Sequence, residues 1–332
     1  MTKAWGAARI DVDEASLRVT VQEILRRSLG RDLRVDALDR RPSEFATLFP
    51  ADVLTVTLDD GERITLFLKH LGPEEANHPD KCVPSRELAV YSDLLVDPGL
   101  PVPRPHGTHP NPRSGRQELF LEYVDGWSLQ YHDLQHWRTA ARELARLHSH
   151  FGHRRDALAA CRPLLRLDAG YFRDWTARAR HALRSYDPER ASRLEEMLPD
   201  CQAAAELVGR APVTLVHNDL SPKNVLTDTT ADPARIRIID WEMAGTGCGL
   251  LDLVHLAYGL DPADAEAMLR IYRAELEGSD LLPAAAGELV RLRAGCELHK
   301  TVYRLAHCRE WGLSGAQMDR LLIDAGTARE AL

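Results

Sequence analysis

Apolar and polar positions follow two rhythms along this chain. In the first third they repeat every second residue. Arg63–His70 sets Ile64, Leu66 and Leu68 on one face and Thr65, Phe67 and Lys69 on the other, the period of a strand. Val35–Asp39, Asp52–Leu58 and Glu118–Val124 also read as strands. Asp59-Asp60-Gly61 reads as a hairpin turn, because glycine takes the positive φ that a tight turn needs. Two helices interrupt this rhythm. Glu14–Leu29 carries Leu17, Val21, Ile24, Leu25 and Leu29 at helical spacing, and Gly30 suits its stop. Pro84–Val96 carries Leu88, Tyr91 and Leu95 on one face. Pro98–Pro112, rich in Pro, Gly and His, reads as a turn-laden connection.

Beyond residue 130 the rhythm becomes helical. Gln135–Phe151 is amphipathic, with Trp137, Ala141, Leu144, Leu147, His148 and Phe151 on one face. Asp168–Leu198, Cys201–Val208, Pro262–Glu277 and Pro283–Trp311 are also helical, and Pro188 marks a boundary within the first of them. Leu298, Val302 and Leu305 form a core stripe. Beside it run His299, Tyr303 and His307, followed by Trp311. That line is either a packed aromatic stripe or the wall of a cleft. Val213–Val216 and Arg235–Ile239 read as short buried strands, with a turn at Asp228–Pro233 between them. The pattern predicts an α+β chain, strands first and helices after, with a boundary near Tyr123.

Chemistry gathers on those two short strands. The first runs into His217-Asn218-Asp219-Leu220-Ser221-Pro222-Lys223-Asn224, an H-x-D-x-x-x-x-N loop. The second ends on Asp240-Trp241-Glu242. Phosphoryl transfer from a nucleotide needs such a set: one carboxylate to orient the acceptor hydroxyl and take its proton, and an amide oxygen with a second carboxylate to hold Mg²⁺ on the phosphates. Those roles fall to Asp219, Asn224 and Asp240. Lys223 either neutralises charge on the transferring group or is a solvated loop lysine. Glu242 either serves the metal or supports the loop. The chain has five lysines, and Lys69 closes an apolar strand. His148 reads as a core histidine.

The segment resembles the catalytic and metal-binding loops of the aminoglycoside phosphotransferase and choline kinase family, protein-kinase-like enzymes that act on small molecules. The resemblance runs from about residue 35 to the C-terminus and is sharpest between Leu215 and Asp252. It implies a bilobal protein-kinase-like fold. Residues 1–122 would form a small, mainly antiparallel nucleotide-binding lobe, and residues 123–332 a larger, mostly helical catalytic and acceptor-binding lobe. It gives Lys69 to the nucleotide phosphates, paired with Glu87, and the backbone of Glu122 and Val124 to the base. His217 would prop the loop through backbone hydrogen bonds. Between the first two strands, where the family covers the phosphates, there is no G-x-G-x-x-G; Ser43 and Thr47 are the replacements at hand. The segment after Glu242 is short, which favours a small-molecule kinase over a regulated protein kinase. ATP or GTP with Mg²⁺ is the implied cofactor set.

Composition narrows the setting. The net charge of −8 argues against nucleic acid as the main partner and is compatible with a cationic acceptor. The six cysteines are scattered without C-x-x-C, as in a reducing cytoplasm. No apolar run is long enough to span a bilayer. The expectation is a cytoplasmic, ATP–Mg²⁺-dependent phosphotransferase acting on a small-molecule hydroxyl: aminoglycoside-like, amino alcohol or sugar. Two alternatives stay open. One is a kinase-like protein that binds a nucleotide or partner without transfer, favoured by the missing glycine loop. The other is a kinase for a peptide Ser or Thr in a natural-product pathway.

Overall fold

The computed structural model describes residues 13–44, 49–72, 78–81 and 83–332. The chain divides into two compact units. One holds the described residues up to Ser128 together with Leu226–Met243; the other holds Leu129–Val225 and Ala244–Leu332. The division is not contiguous, because the hairpin after the H-x-D loop groups with the N-terminal unit.

In the first unit, β1 (Val35–Pro42), β2 (Ala51–Leu58), β3 (Arg63–Leu71), β4 (Pro105–Asn111) and β5 (Arg116–Glu122) form an antiparallel sheet in the order β1-β2-β3-β5-β4. Alternation dictates which face is buried: Leu54, Val56, Leu66, Leu68 and Phe120 pack with Leu17, Val21, Ile24 and Leu25 of α1 (Glu14–Leu29). The expected connection at Pro98–Pro112 is partly a strand. β4 pairs with β5 from Pro105↔Leu121 to Asn111↔Arg116. Its prolines read as breakers, but β4 is an edge strand, where a missing N–H costs no ladder bond. A small sheet, β10-β9-β6, completes the unit: β6 is Trp127–Ser128, β9 Val225–Asp228 and β10 Arg235–Ile238. The expected helix over 84–96 is α-helical only in α2 (Pro84–Ala89). Val90–Leu94 then widens into a π turn, which buries Val90, Tyr91 and Leu94 together.

The second unit is mostly helical. Its helices are α3 (Leu134–Gly152), α4 (Arg155–Ala160), α5 (Ala169–Tyr186), α6 (Pro188–Glu195), α7 (Leu198–Gly209), α8 (Leu250–Leu256), α9 (Pro262–Glu275), α10 (Ala286–Ala306) and α11 (Gly315–Glu330). Pro188 opens α6, and the Asp187 carboxylate caps it by accepting from the Arg190 amide. The last helix was not anticipated, although Ser314 and Gln317 form a capping box ahead of it. Three short strands make one sheet: β7 (Leu165–Arg166), β11 (Gly245–Gly247) and β8 (Thr214–Val216). The short, glycine-rich segment after Glu242 thus holds strand β11. Its glycines fit because a Cβ on Gly245 or Gly247 would lie within 3 Å of Leu165 or Leu167. Among the described residues no helix is long and apolar enough to cross a membrane.

Candidate active site

The first unit gathers charge at the end of β3. Lys69 lies on the central strand of the sheet, with Ala51 and Leu119 as its register partners, so its backbone is held from both sides. Its ammonium sits 2.7 Å from Glu87 Oε2 and 2.7 Å from Asp240 Oδ1. Burial alone would lower the Lys69 pKa. The Asp240 and Glu87 carboxylates outweigh it and hold the group above the ordinary lysine value. Burial pushes the Glu87 carboxyl up, with Lys69 opposing the shift. The expected Lys69–Glu87 pair is present. The direct contact between Lys69 and Asp240 was not anticipated.

Asp240 lies two residues beyond β10 with φ at 68°, a left-handed conformation that a non-glycine residue adopts only when its surroundings enforce it. The next residue supplies that constraint. Trp241 is fully buried, and its indole N–H donates to the Ile238 carbonyl at 3.2 Å. Glu242 is also buried. Its Oε1 lies 2.8 Å from the Lys81 ammonium, and its Oε2 has no hydrogen-bond partner. The Glu242 carbonyl accepts from the Arg86 guanidinium at 2.7 Å.

The remaining N-terminal candidates are placed as follows. Ser43 is buried, and its amide donates to the Ala51 carbonyl at 2.8 Å. Thr47 lies outside the described residues. The Glu122 amide donates to the Arg104 carbonyl, and the Tyr123 amide to Thr65. The Glu122 N–H is thus engaged within the chain, which leaves only the carbonyl of that residue to face a base. Val124 follows in half-buried chain beyond β5.

In the second unit the H-x-D loop is held by its backbone. Asp252, fully buried in α8, accepts from the His217 amide (2.7 Å) through Oδ2 and from the Asn218 amide (2.9 Å) through Oδ1. His148 of α3 faces the same carboxylate, Nε2 to Oδ2 at 3.3 Å, and its Nδ1 is 2.6 Å from the Tyr272 hydroxyl. The Thr214 hydroxyl donates to the His148 carbonyl. A Cβ on Gly249 would come 2.7 Å from His148 Nδ1, so this packing needs glycine there. His217 Nδ1 accepts from the Asp219 amide at 3.3 Å, so His217 props the loop from within. Asn218 takes φ 65°, and its side-chain amide donates to the Tyr171 hydroxyl. The Asn224 side-chain N–H donates to the Asp219 carbonyl at 2.9 Å, which leaves the amide oxygen for a cation. Asp219 is half-buried, and Lys223 is exposed.

The family model described as the phosphotransferase enzyme family matches residues 51–287. The chain belongs to that family. No curated protein matches it at a significant level. Among solved structures it is similar to a Ralstonia eutropha JMP134 protein assigned to the aminoglycoside phosphotransferases, at 15% identity and a TM-score of 0.60 over 96% of both chains. It is also similar to macrolide 2′-phosphotransferase MphH from Brachybacterium faecium, at 18% identity and a TM-score of 0.55 over 92% of this chain and 98% of that one. A third likeness is the GDP complex of wild-type aminoglycoside 2′-phosphotransferase-IIIa, at 14% identity and a TM-score of 0.55 over 94% of this chain and 98% of that one. The fold is protein-kinase-like, and this member of the family is a phosphotransferase.

The aromatic line on α10 of this phosphotransferase is a packed stripe. His299, Tyr303 and His307 are buried, and they meet Phe172 and Trp175 of α5 at ring separations of 4.5 to 5.2 Å. Four contributors to the two polar clusters were missed in the sequence: Lys81, Arg86, Tyr171 and Tyr272. Lys81 carried a signal, as one of only five lysines. The tyrosines carried none, because each is a long-range partner of a residue far away in the chain.

Proposed function

We propose that this phosphotransferase moves the terminal phosphoryl group of ATP or GTP to a hydroxyl of a small molecule, with Mg²⁺ on the nucleotide. The observation that carries the reading is Lys69, held between Glu87 and Asp240 on a central strand. A lysine fixed this way is positioned for phosphate before the nucleotide arrives, and a mobile one would lose side-chain entropy on binding. In this reading the N-terminal unit binds the nucleotide. The Asp219 carboxylate orients the acceptor hydroxyl and takes its proton, and Lys223 neutralises charge on the transferring group. Asn224, Asp240 and Glu242 are the proposed metal ligands.

The residues present fit a nucleotide-borne Mg²⁺. Among the described residues no three acidic, His or Cys side chains gather as a metal cage. A Mg²⁺ that arrives on phosphates needs only one or two carboxylates from the protein. Glu242 Oε2 is a buried oxygen without a partner, the kind of atom a cation satisfies. Bound there, the ion would neutralise charge on the phosphate oxygens. The acidic balance of the chain suits a cationic acceptor, such as an aminoglycoside or an amino alcohol, over an anionic one.

Calorimetry tests the reading: ATP and GTP with and without Mg²⁺, on wild type and Asp240→Ala. The expected result is that Mg²⁺ tightens binding to wild type and that Asp240→Ala loses the gain. Absence of binding to either nucleotide would overturn the proposal. A phosphate-transfer screen over hydroxyl-bearing amines, sugars and peptides then identifies the acceptor.

A further inference from the structure

We infer that Lys81 is a second phosphate-binding cation of the N-terminal unit, doing the work of the glycine-rich loop this chain lacks. The inference rests on the nucleotide reading above and adds a residue to it. A glycine-rich loop holds phosphates with backbone N–H groups. The segment between β1 and β2 has no such sequence, and the one replacement hydroxyl that is described belongs to Ser43, which is buried with its amide bonded to Ala51. A cation elsewhere in the unit could hold the phosphates in place of such a loop.

Lys81 is placed to do so. Its ammonium is 2.8 Å from Glu242 Oε1. The Glu242 charge also acts on Lys69, as do Glu87 and Asp240. Lys69 thus holds Asp240, and Lys81 holds Glu242, two residues further along the same turn. Lys81 is the more open of the two, with its side chain 24% exposed against 12% for Lys69. In the proposal it exchanges the Glu242 carboxylate for a phosphate oxygen.

The segment before Lys81 is built in. The Arg86 guanidinium donates to the Asp80 carbonyl at 2.5 Å and to the Glu242 carbonyl at 2.7 Å, and so ties the backbone next to Lys81 to the Asp240–Glu242 turn. The Asp80 amide donates to His78 Nδ1, and the Lys81 amide to the His78 carbonyl. A lysine that merely solvated a loop would need none of these ties. Glu242 meanwhile keeps Oε2 unpartnered, so Lys81 does not satisfy it in full. The carboxylate parks the lysine and still suits a metal.

A double-mutant cycle read by calorimetry separates a phosphate contact from simple neutralisation of Glu242. The proteins are wild type, Lys81→Met, Glu242→Gln and the double variant; the probes are ADP with Mg²⁺ and adenosine. The expected result is a loss of roughly tenfold in ADP affinity on Lys81→Met, the scale of one charge-assisted contact. The loss should be of similar size in the Glu242→Gln background, with adenosine binding unchanged. Lys81→Arg, which keeps the charge, should retain most of the affinity and guards against a folding artefact. Equal ADP affinity for wild type and Lys81→Met would overturn the inference. So would a loss that disappears in the Glu242→Gln background, because Lys81 would then serve only to neutralise that carboxylate. If wild type binds no ADP, the nucleotide reading itself falls and this inference with it.

Discussion

The two units hold their polar residues by different means. In the first, candidate side chains are held by one another: Lys69 by Glu87 and Asp240, Lys81 by Glu242. In the second, what is held is backbone, and the candidate carboxylate rides on it. Asp252 takes the His217 and Asn218 amides, His148 faces Asp252, and Tyr272 holds His148, while Asp219 belongs to the loop so fixed. Paired charges can exchange partners, as groups that meet a charged ligand must. Buried hydrogen bonds to backbone amides cannot be exchanged cheaply, because each orphaned amide costs about 1–3 kcal/mol. The first arrangement suits a part that receives phosphates, and the second a part that must keep one geometry.

Replacing the anchor should break this contrast most severely. Asp252→Ala leaves two buried amides without acceptors and should cost about 3–5 kcal/mol, with loss of turnover. Urea unfolding measures it. An unchanged midpoint would mean that the loop is held elsewhere. Asp219→Ala comes next and tests the opposite property, that the carboxylate is functional and structurally dispensable. Turnover should fall roughly 10²–10³-fold while nucleotide affinity and the unfolding midpoint stay at wild-type values. A variant that folds, binds and turns over normally would remove Asp219 from the chemistry.

This contrast also decides what could be read from the sequence. The Lys69–Glu87 pair was legible through the family resemblance, and Asp219, Asn224 and Asp240 stood out as candidates because each lies at a fixed spacing in a polar loop or at a strand end between apolar runs. Strands β1, β2, β3 and β5 and helices α1 and α3 followed from periodicity, and their antiparallel arrangement from the resemblance. What was illegible depends on contacts between distant segments. Tyr272 meets His148 across 124 residues of chain, and Lys69 meets Asp240 across 171. Neither pair has a local signature. β4 and β11 were missed for another reason. Their Pro and Gly content signals a turn, and edge placement or tight packing against Leu165 and Leu167 overrode that signal.

Acidification probes the helical unit through residues outside the loop. Burial lowers the His299 pKa to about 3, and burial together with the nearby Lys300 holds His255 well below its ordinary value. Both folded values lie below the unfolded one, so the stabilising contribution is complete above pH 6.5. Below that the unfolded chain binds protons that the folded chain refuses. Stability should fall by up to about 1.4 kcal/mol per pH unit for each group. Unfolding at pH 7.5, 6.5 and 5.5 should show this decline, and His299→Phe should show a shallower one. Identical slopes would mean that His299 takes up protons in the fold as readily as in the unfolded chain.

Tyr272→Phe sharpens the comparison at its weakest point. The tyrosine hydroxyl can donate to His148 Nδ1, which leaves Nε2 to carry the hydrogen that faces Asp252. Removing the hydroxyl deletes that hydrogen bond but leaves both amide contacts of Asp252 in place. The expected cost is about 1 kcal/mol in unfolding, with only a few-fold change in turnover. The amides, through Asp252, would then be the anchor that matters, and the tyrosine a refinement of the histidine tautomer. A loss of turnover approaching that of Asp219→Ala, at unchanged stability, would reverse the order. The geometry of the loop would then depend on which nitrogen of His148 carries its hydrogen, and the chain of contacts from α9 through α3 to α8 would act as one unit.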